Sequence, residues 1–401
     1  MKRWDCIRSV YSGIKIPCLL LTFVMTAALF VATITFGDYR YYTYSRDTFQ
    51  KAGLENSYYV THFGSNKPTN EELIQEIQDA KKAPGVETVL YKFSTNPFII
   101  DGVGWGCSMM SEDLCEAFPP DIYRGTLFGS TGVSSEGALE MIDASGSFSD
   151  VPLGKPFEIP CSDTATITAV LVGRIRYPYF TLDFGSAGDI TAADFISEFP
   201  TFLVKDTPET RELLHSVSDA PFNPDPNYFV VFSQDASQEE INAYLNESKQ
   251  EHYILSYQEL MDSTNKQIQQ NLRTFLPLPV FLLFLTMVSL FSISVIIIYR
   301  KASENAIWYL CGCSRARGMR TIFFCIGILG AIAAVINAVF IVIYPILGDN
   351  EILVLNRFYV DGWNLLFILG YLLITLLIVF ATSLLLQRRT SPLELLRRLD
   401  Q

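Results

Sequence analysis

Charge is scarce in this chain. Asp, Glu, Lys and Arg make up 18% of it, against about 25% in an ordinary soluble domain. The shortage is local. Four stretches, 16–37, 274–299, 321–348 and 362–387, hold none of the four charged types. Each matches the ~20 apolar residues that a helix needs to cross a bilayer. A wholly cytoplasmic enzyme, a secreted one and a disordered chain are excluded. Histidine is scarcer still: His62, His215 and His252 are scattered and form no HExxH pair. No GxSxG elbow is present, and the nearest string, at 132–137, has the wrong spacing. No GxxxxGK[ST] phosphate loop occurs. Cys311 and Cys313 have no partner pair to complete a zinc pattern. No stretch carries an ionisable residue at mid-depth, which an ion-coupled pump normally needs. No catalytic, cofactor or metal constellation is read, and the chain is not expected to be an enzyme.

The net charge is −12 over 401 residues, and it is partitioned. The segments 1–15, 300–320 and 388–401 together carry +9, the segment 38–276 carries −19, and the loop 347–362 carries −2. Positive loops stay in the cytoplasm. Lys2, Arg3, Arg8 and Lys15, then Arg300 and Lys301, then Arg388 and Arg389 place both termini and the 300–320 loop inside. Four spans satisfy all three assignments, so the large acidic segment lies outside. The first apolar run is longer than a signal-peptide core of about 7–15 residues, and no A-x-A site follows it. It is read as an uncleaved span, with Tyr39, Tyr41 and Tyr42 at its outer interface. The acidity argues against nucleic acid as a partner.

Eight cysteines are present, three of them outside: Cys107, Cys115 and Cys161. The closest pair, Cys107 and Cys115, could bridge; three free thiols are the alternative, which a bacterial surface without oxidative folding would give.

Both ends of the outer segment read alike. Residues 57–63 (SYYVTHF) alternate as a strand, 69–82 as a helix with Leu73, Ile74 and Ile77 on one face and Thr69 as its cap, and 86–93 (VETVLYKF) as a strand. Residues 228–233 (YFVVFS), 236–249 and 252–257 (HYILSY) repeat strand, helix, strand. Two such β-α-β units can share one split β-α-β sheet. Between them, 96–205 is rich in Gly, Ser, Pro and Asp, with short strands expected near 157–159, 165–172 and 201–204.

A helix over 258–275 runs straight into the second span. Met261, Ile268 and Phe275 stand seven apart and Leu272 lies four after Ile268, a narrow seam of the kind a paired helix presents. Pro277 and Pro279 mark a boundary or kink. In the third span, Gly330, Ala334 and Ala338 make a small-residue stripe for close helix contact, and Asn337 is expected to bond between helices. The 300–320 loop holds a short amphipathic helix with Ile307, Trp308, Leu310 and Cys311 on its apolar side and Gly312 ending it. Such a helix can lie on lipid or plug a groove on a soluble partner.

That loop resembles the RKxEIAILRALGASRRQI stretch of the FtsX/MacB-like ABC transporter permeases. Arg300, Lys301, Glu304, Ala306, Ile307, Gly312, Ser314 and Arg315 stand where the pattern puts them, and Cys311 and Cys313 replace its Leu and Ala. The tail Ser391-Pro392-Leu393-Glu394-Leu395-Leu396-Arg397 resembles the family's SPxEALR ending, and Pro84-Gly85-Val86 its PGV turn. Gly154-Lys155 and 170–173 (VLVG) resemble its Gly-Lys and VVG strands.

The resemblance implies a four-helix membrane protein with a large α+β extracytoplasmic domain, having a porter-like α/β subdomain and a β-rich insertion. It gives a cytoplasmic N-terminus at 1–15, spans at 16–37, 276–299, 321–347 and 363–387, and an outer domain at 38–257. The outer domain would be porter-like at 38–95 and 206–257, with its insertion at 96–205. A stalk at 258–275, a coupling loop at 300–320, an outer loop at 348–362 and a tail at 388–401 complete it. Glu304, Ile307, Trp308, Leu310, Gly312 and Arg315 would couple to an ATPase. Met261, Ile268, Leu272 and Phe275 would lie on the stalk seam. The implied partners are a separate cytoplasmic ATPase that binds ATP and Mg, a second permease chain (the same or related), the bilayer, and an extracytoplasmic accessory protein. The ATPase is expected as a separate subunit because only 15 residues precede the first span. The implied role is export of peptides, lipoproteins or drugs from a bacterial cell membrane. The alternative is an FtsX-like signal transmitter that activates a cell-wall hydrolase.

Overall fold

The computed structural model describes residues 15–62, 68–100, 103–144, 148, 150–161, 165–175, 181–182, 190–197, 202–218, 221–249, 252–300, 315–349, 355 and 358–389. The chain divides into two units. One comprises Met1–Arg40, Gln270–Tyr344 and Arg357–Gln401; the other comprises Tyr41–Gln269 and Pro345–Asn356.

Helix α1 (Lys15–Lys51) is longer than its charge-free run. It does not stop at Gly37, because residues 38–51 offer buried faces of their own. Tyr41, Tyr42 and Phe49 are buried, and the Tyr41 hydroxyl donates to Ala193 O at 3.3 Å. The expectation that Tyr41 and Tyr42 sit at a membrane interface is corrected: they pack inside the outer unit.

The outer unit is built on a four-stranded sheet. Strand β1 (Ser57–His62) leads through α2 (Asn70–Lys82) to β2 (Val86–Leu90). Thr69 caps α2 in a reciprocal box with Glu72, which satisfies two helix-end donors. Gly85 turns the chain at φ +77°, where only glycine is unstrained.

A second sheet follows, formed by β3 (Lys92–Ile100), β4 (Val103–Met110), β5 (Ile122–Gly125), β6 (Leu139–Asp143), β7 (Pro156–Pro160), β8 (Thr166–Ile175), β11 (Phe202–Lys205) and β12 (Asn223–Pro224). The short pair β9 (Thr181–Leu182) and β10 (Ile196–Ser197) stands apart from it. Helices α3 (Glu112–Ala117) and α4 (Pro208–Val217) accompany this region. Its core gathers Phe98, Met109, Leu139, Leu171 and Phe202.

The chain then returns to the first sheet with β13 (Asn227–Phe232), α5 (Gln238–Ser248) and β14 (His252–Ser256). The order is β14-β1-β13-β2, with every pair antiparallel. Alternation sorts its two faces. Val60, Tyr228, Val230 and Phe232 pack with Ile77 and Ile241 of α2 and α5. The other face turns Tyr59 and Phe229 against Phe49 and Phe195, with ring centroids 4.8–5.9 Å apart.

Ser256 and Glu259 bond reciprocally at the start of α6 (Tyr257–Phe275). Helix α7 (Pro277–Arg300) follows after Leu276. Leu276 N donates to Leu272 O at 3.0 Å and Val280 N to Leu276 O at 3.2 Å, so the proline boundary falls where expected and keeps its turn bonded. Helices α8 (Arg315–Asp349) and α9 (Gly362–Arg389) complete the apolar unit. Among the described residues, four helical stretches are long and apolar enough to cross a membrane: Lys15–Lys51, Tyr257–Ile296, Phe323–Leu347 and Gly362–Ala381.

Candidate functional site

The residues expected to couple to an ATPase are Glu304, Ile307, Trp308, Leu310, Gly312 and Arg315. The first five lie outside the described residues, as does the 390–401 tail. Arg315 opens α8.

On the stalk, Met261 and Ile268 are buried within the chain, Leu272 is half-buried, and Phe275 is exposed. The same spacing belongs to an amphipathic face that α6 turns inward together with Leu260 and Thr264. The buried Thr264 hydroxyl accepts from Ala192 N at 2.9 Å and donates to Leu260 O at 2.7 Å.

In the apolar unit, Gly330 and Ala334 are buried and Ala338 is half-buried. A Cβ on Gly330 would stand 3.0 Å from Thr375 Cγ2 and 3.5 Å from Met25 Cε. The small residue is thus what lets α8 approach α9 and α1. Asn337 Nδ2 donates to Thr26 O at 3.3 Å across helices and to Ala333 O at 2.9 Å within its own. At Gly37 any Cβ would strike the Phe358 ring at 2.0 Å. Beside it, Arg40 Nε and Nη2 hold Asp361 Oδ2 at 3.0 and 2.6 Å.

Cys107, Cys115 and Cys161 are free and buried, so the expected alternative of three thiols is the one observed. Burial pushes the Cys115 thiol up to about 12 and raises those of Cys107 and Cys161 as well. Such thiols are inert.

One polar cluster was not read from the sequence. His62 ends β1 and His252 opens β14, and the antiparallel register sets them directly opposite each other. Their rings meet edge to face at 4.4 Å. Both fall on the sheet face that carries Val60 and Ile254, the face packed by α2. Glu76 of α2 reaches between them. Its Oε2 lies 3.1 Å from His62 Nε2, and its Oε1 lies 2.9 Å from His252 Nε2.

Tyr228 of β13 donates its hydroxyl to Glu76 Oε1. His252 Nδ1 is 2.9 Å from Ser248 O. The side chains of His62, Glu76 and His252 are 17%, 25% and 8% exposed, so the cluster is largely enclosed. Burial raises the Glu76 carboxyl, but the imidazoles of His252 and His62 and the Tyr228 hydroxyl outweigh burial. Together they hold it well below the usual carboxylate range. Burial and the nearby Tyr244 and Glu76 push the Tyr228 phenol far up, so it stays a donor. The sequence signal was faint: both histidines sit at the ends of alternating strands, 190 positions apart, and only the register joins them.

No family model matches the chain, and no curated protein matches it. Among solved structures, the periplasmic region of MacB from Actinobacillus actinomycetemcomitans is similar at 10% identity and a TM-score of 0.32, over 54% of this chain and 94% of that one. The extracellular domain of the noncanonic ABC-type transporter YknZ from Gram-positive bacteria is similar at 15% identity and a TM-score of 0.29, over 50% of this chain and all of that one. At these scores the likenesses carry no assignment of family or function.

Proposed function

We propose that this chain is a permease subunit of a bacterial ABC transporter. It would relay ATP-driven motion from a separate cytoplasmic ATPase to an outer domain that exports peptides, lipoproteins or drugs. The observation that carries the reading is one of connection. The division between the apolar and outer units falls inside two helices, at Arg40/Tyr41 within α1 and at Gln269/Gln270 within α6. At about 1.5 Å per residue, α1 spans roughly 55 Å. In this reading a push applied at the cytoplasmic face would pass along the backbone of these helices. The motif at 300–315 and the absence of a phosphate loop support an external motor. The spans hold no charge at mid-depth, which suits transport that does not pass an ion between them.

The working assembly would contain two permease chains, identical or related, with two ATPases, ATP and Mg being bound by the latter. Glu304→Ala and Trp308→Ala are expected to abolish co-purification of the ATPase or its transport-linked turnover, while hydrogen exchange in β1 and β13 stays unchanged. Unaltered co-purification and turnover in both variants would overturn the reading.

A further inference from the structure

Two of the three histidines in the chain converge on one glutamate. The carbonyl of Ser248 carries no hydrogen, so His252 Nδ1 must donate across their 2.9 Å contact. In a neutral ring, Nε2 is then a bare lone pair. Yet Nε2 faces the Glu76 Oε1 carboxylate oxygen at 2.9 Å. Two acceptors at that distance need something positive between them. The buried Nε2 of His62 lies 3.1 Å from Glu76 Oε2 but makes no hydrogen bond among the described residues. A doubly protonated His252 with the proton of His62 on Nε2 would satisfy the two contacts separately; one metal ion held by all three side chains would satisfy them together.

The geometry fits an ion. Ligand atoms of His62, Glu76 and His252 all lie within 4.8 Å of one another. Bonds of about 2.0–2.1 Å to a tetrahedral zinc place neighbouring ligands about 3.3 Å apart, so the observed 2.9 and 3.1 Å contacts need only a slight opening. Groups that would orient the ligands are in place. A backbone carbonyl fixes the His252 tautomer and a tyrosine hydroxyl steadies the carboxylate, as in known zinc sites. The ligands stand on a paired register and a capped helix, not on loops.

We propose that His62 Nε2, the Glu76 carboxylate and His252 Nε2 form a three-ligand site for a divalent transition-metal ion of the zinc class, its fourth position left for water. The ion would tie edge strand β14, which leads directly into α6, to β1 and α2. The site is independent of the transport reading.

The test uses the full-length chain in detergent micelles, free of any polyhistidine tag and stripped with a chelator. Titration calorimetry with zinc chloride should show one saturable ion per chain. Cobalt(II) should give the visible bands of a tetrahedral ion without a thiolate charge-transfer band. His62→Ala should weaken zinc binding by about 100-fold or more and Glu76→Gln by about 10-fold or more. His215→Ala, at the histidine that meets the Phe222 ring edge to face, should leave it unchanged. The thermal midpoint of each stripped variant checks its folding, and Glu76→Gln, which keeps an acceptor for Tyr228, covers a His62→Ala protein that fails to fold. Absence of a saturable ion would overturn the proposal, as would equal affinity in parent, His62→Ala and Glu76→Gln.

Discussion

Hydroxyl side chains do different work in the two units. In the apolar unit they bond back to their own helix: Thr22 to Cys18 O, Thr26 to Thr22 O and Ser294 to Leu290 O, at 2.7–2.9 Å. In the outer unit Thr69, Ser237 and Ser256 cap helix starts and trade bonds with a glutamate three residues on. Solvent explains the contrast. Between residues 41 and 269, Tyr123, Leu127 and Tyr253 are the exposed large hydrophobics among the described residues. In the apolar unit Leu19, Phe23, Val342 and Leu377 are all strongly exposed, which is the surface a lipid environment covers. Without water, a hydroxyl must find its acceptor on its own backbone. With water, it is more useful at a helix end. Buried Ser45 and Thr264 of the outer unit also bond back, as does exposed Ser216, so the habit is not confined to the apolar unit.

The contrast can be broken most severely at Phe229. Its ring lies 5.2 Å from both Tyr59 and Phe195 and it is fully buried. Phe229→Ala should destabilise the outer unit by about 3–5 kcal/mol, the range for a buried phenylalanine lost from a tight core. Hydrogen exchange should rise across β1, β13 and β14 and stay unchanged in α8 and α9. Equal loss of protection in α8 would mean that the two units do not hold their stability separately.

The matching test in the apolar unit is Gly330→Leu. Here packing rests on the absence of a side chain, since Thr375 Cγ2 waits 3.0 Å from where the Cβ would stand. Overpacking of this kind costs about 1–3 kcal/mol. Unfolding in mixed micelles should show a loss of that size confined to the helices, with β13 exchange unaltered. A stable Gly330→Leu protein would show that α8 and α9 do not need the small stripe.

Local pattern was enough for the elements and not for what joins them. The strand–helix–strand runs at both ends of the outer segment, the Thr69 cap and the break at Pro277 were legible because each is set by a few neighbouring residues. The length of α1 was hidden, since Tyr41, Tyr42 and Phe49 become core only when the sheet and the 190–195 segment arrive. The inward face of α6 shows the same limit: periodicity says that a face is buried, not what buries it. Thr264, a polar residue in that face, was the available clue to a local partner. The His62–Glu76–His252 cluster depends on a register between strands 190 residues apart, which no local spacing encodes.

The gentlest test concerns helix caps, where the outer unit should respond to pH and the apolar unit should not. Backbone and hydroxyl bonds from Ser237 hold the Glu240 carboxyl below its ordinary value. A carboxyl whose pKa is lower in the folded chain than in the unfolded one stabilises the fold above its unfolded pKa, about 4.3. That contribution is lost as pH falls through the folded value. Glu240→Gln should therefore be less stable than the parent at pH 7, and the gap should close as the pH drops below about 4. Ser237→Ala should cost about 1 kcal/mol at pH 7, because it removes the acceptor for Glu240 N. Urea unfolding of the full chain in micelles, followed at pH 7 and again near pH 3.5, measures both. A gap for Glu240→Gln that is the same at the two pH values would show that the box is held by geometry alone and not by charge.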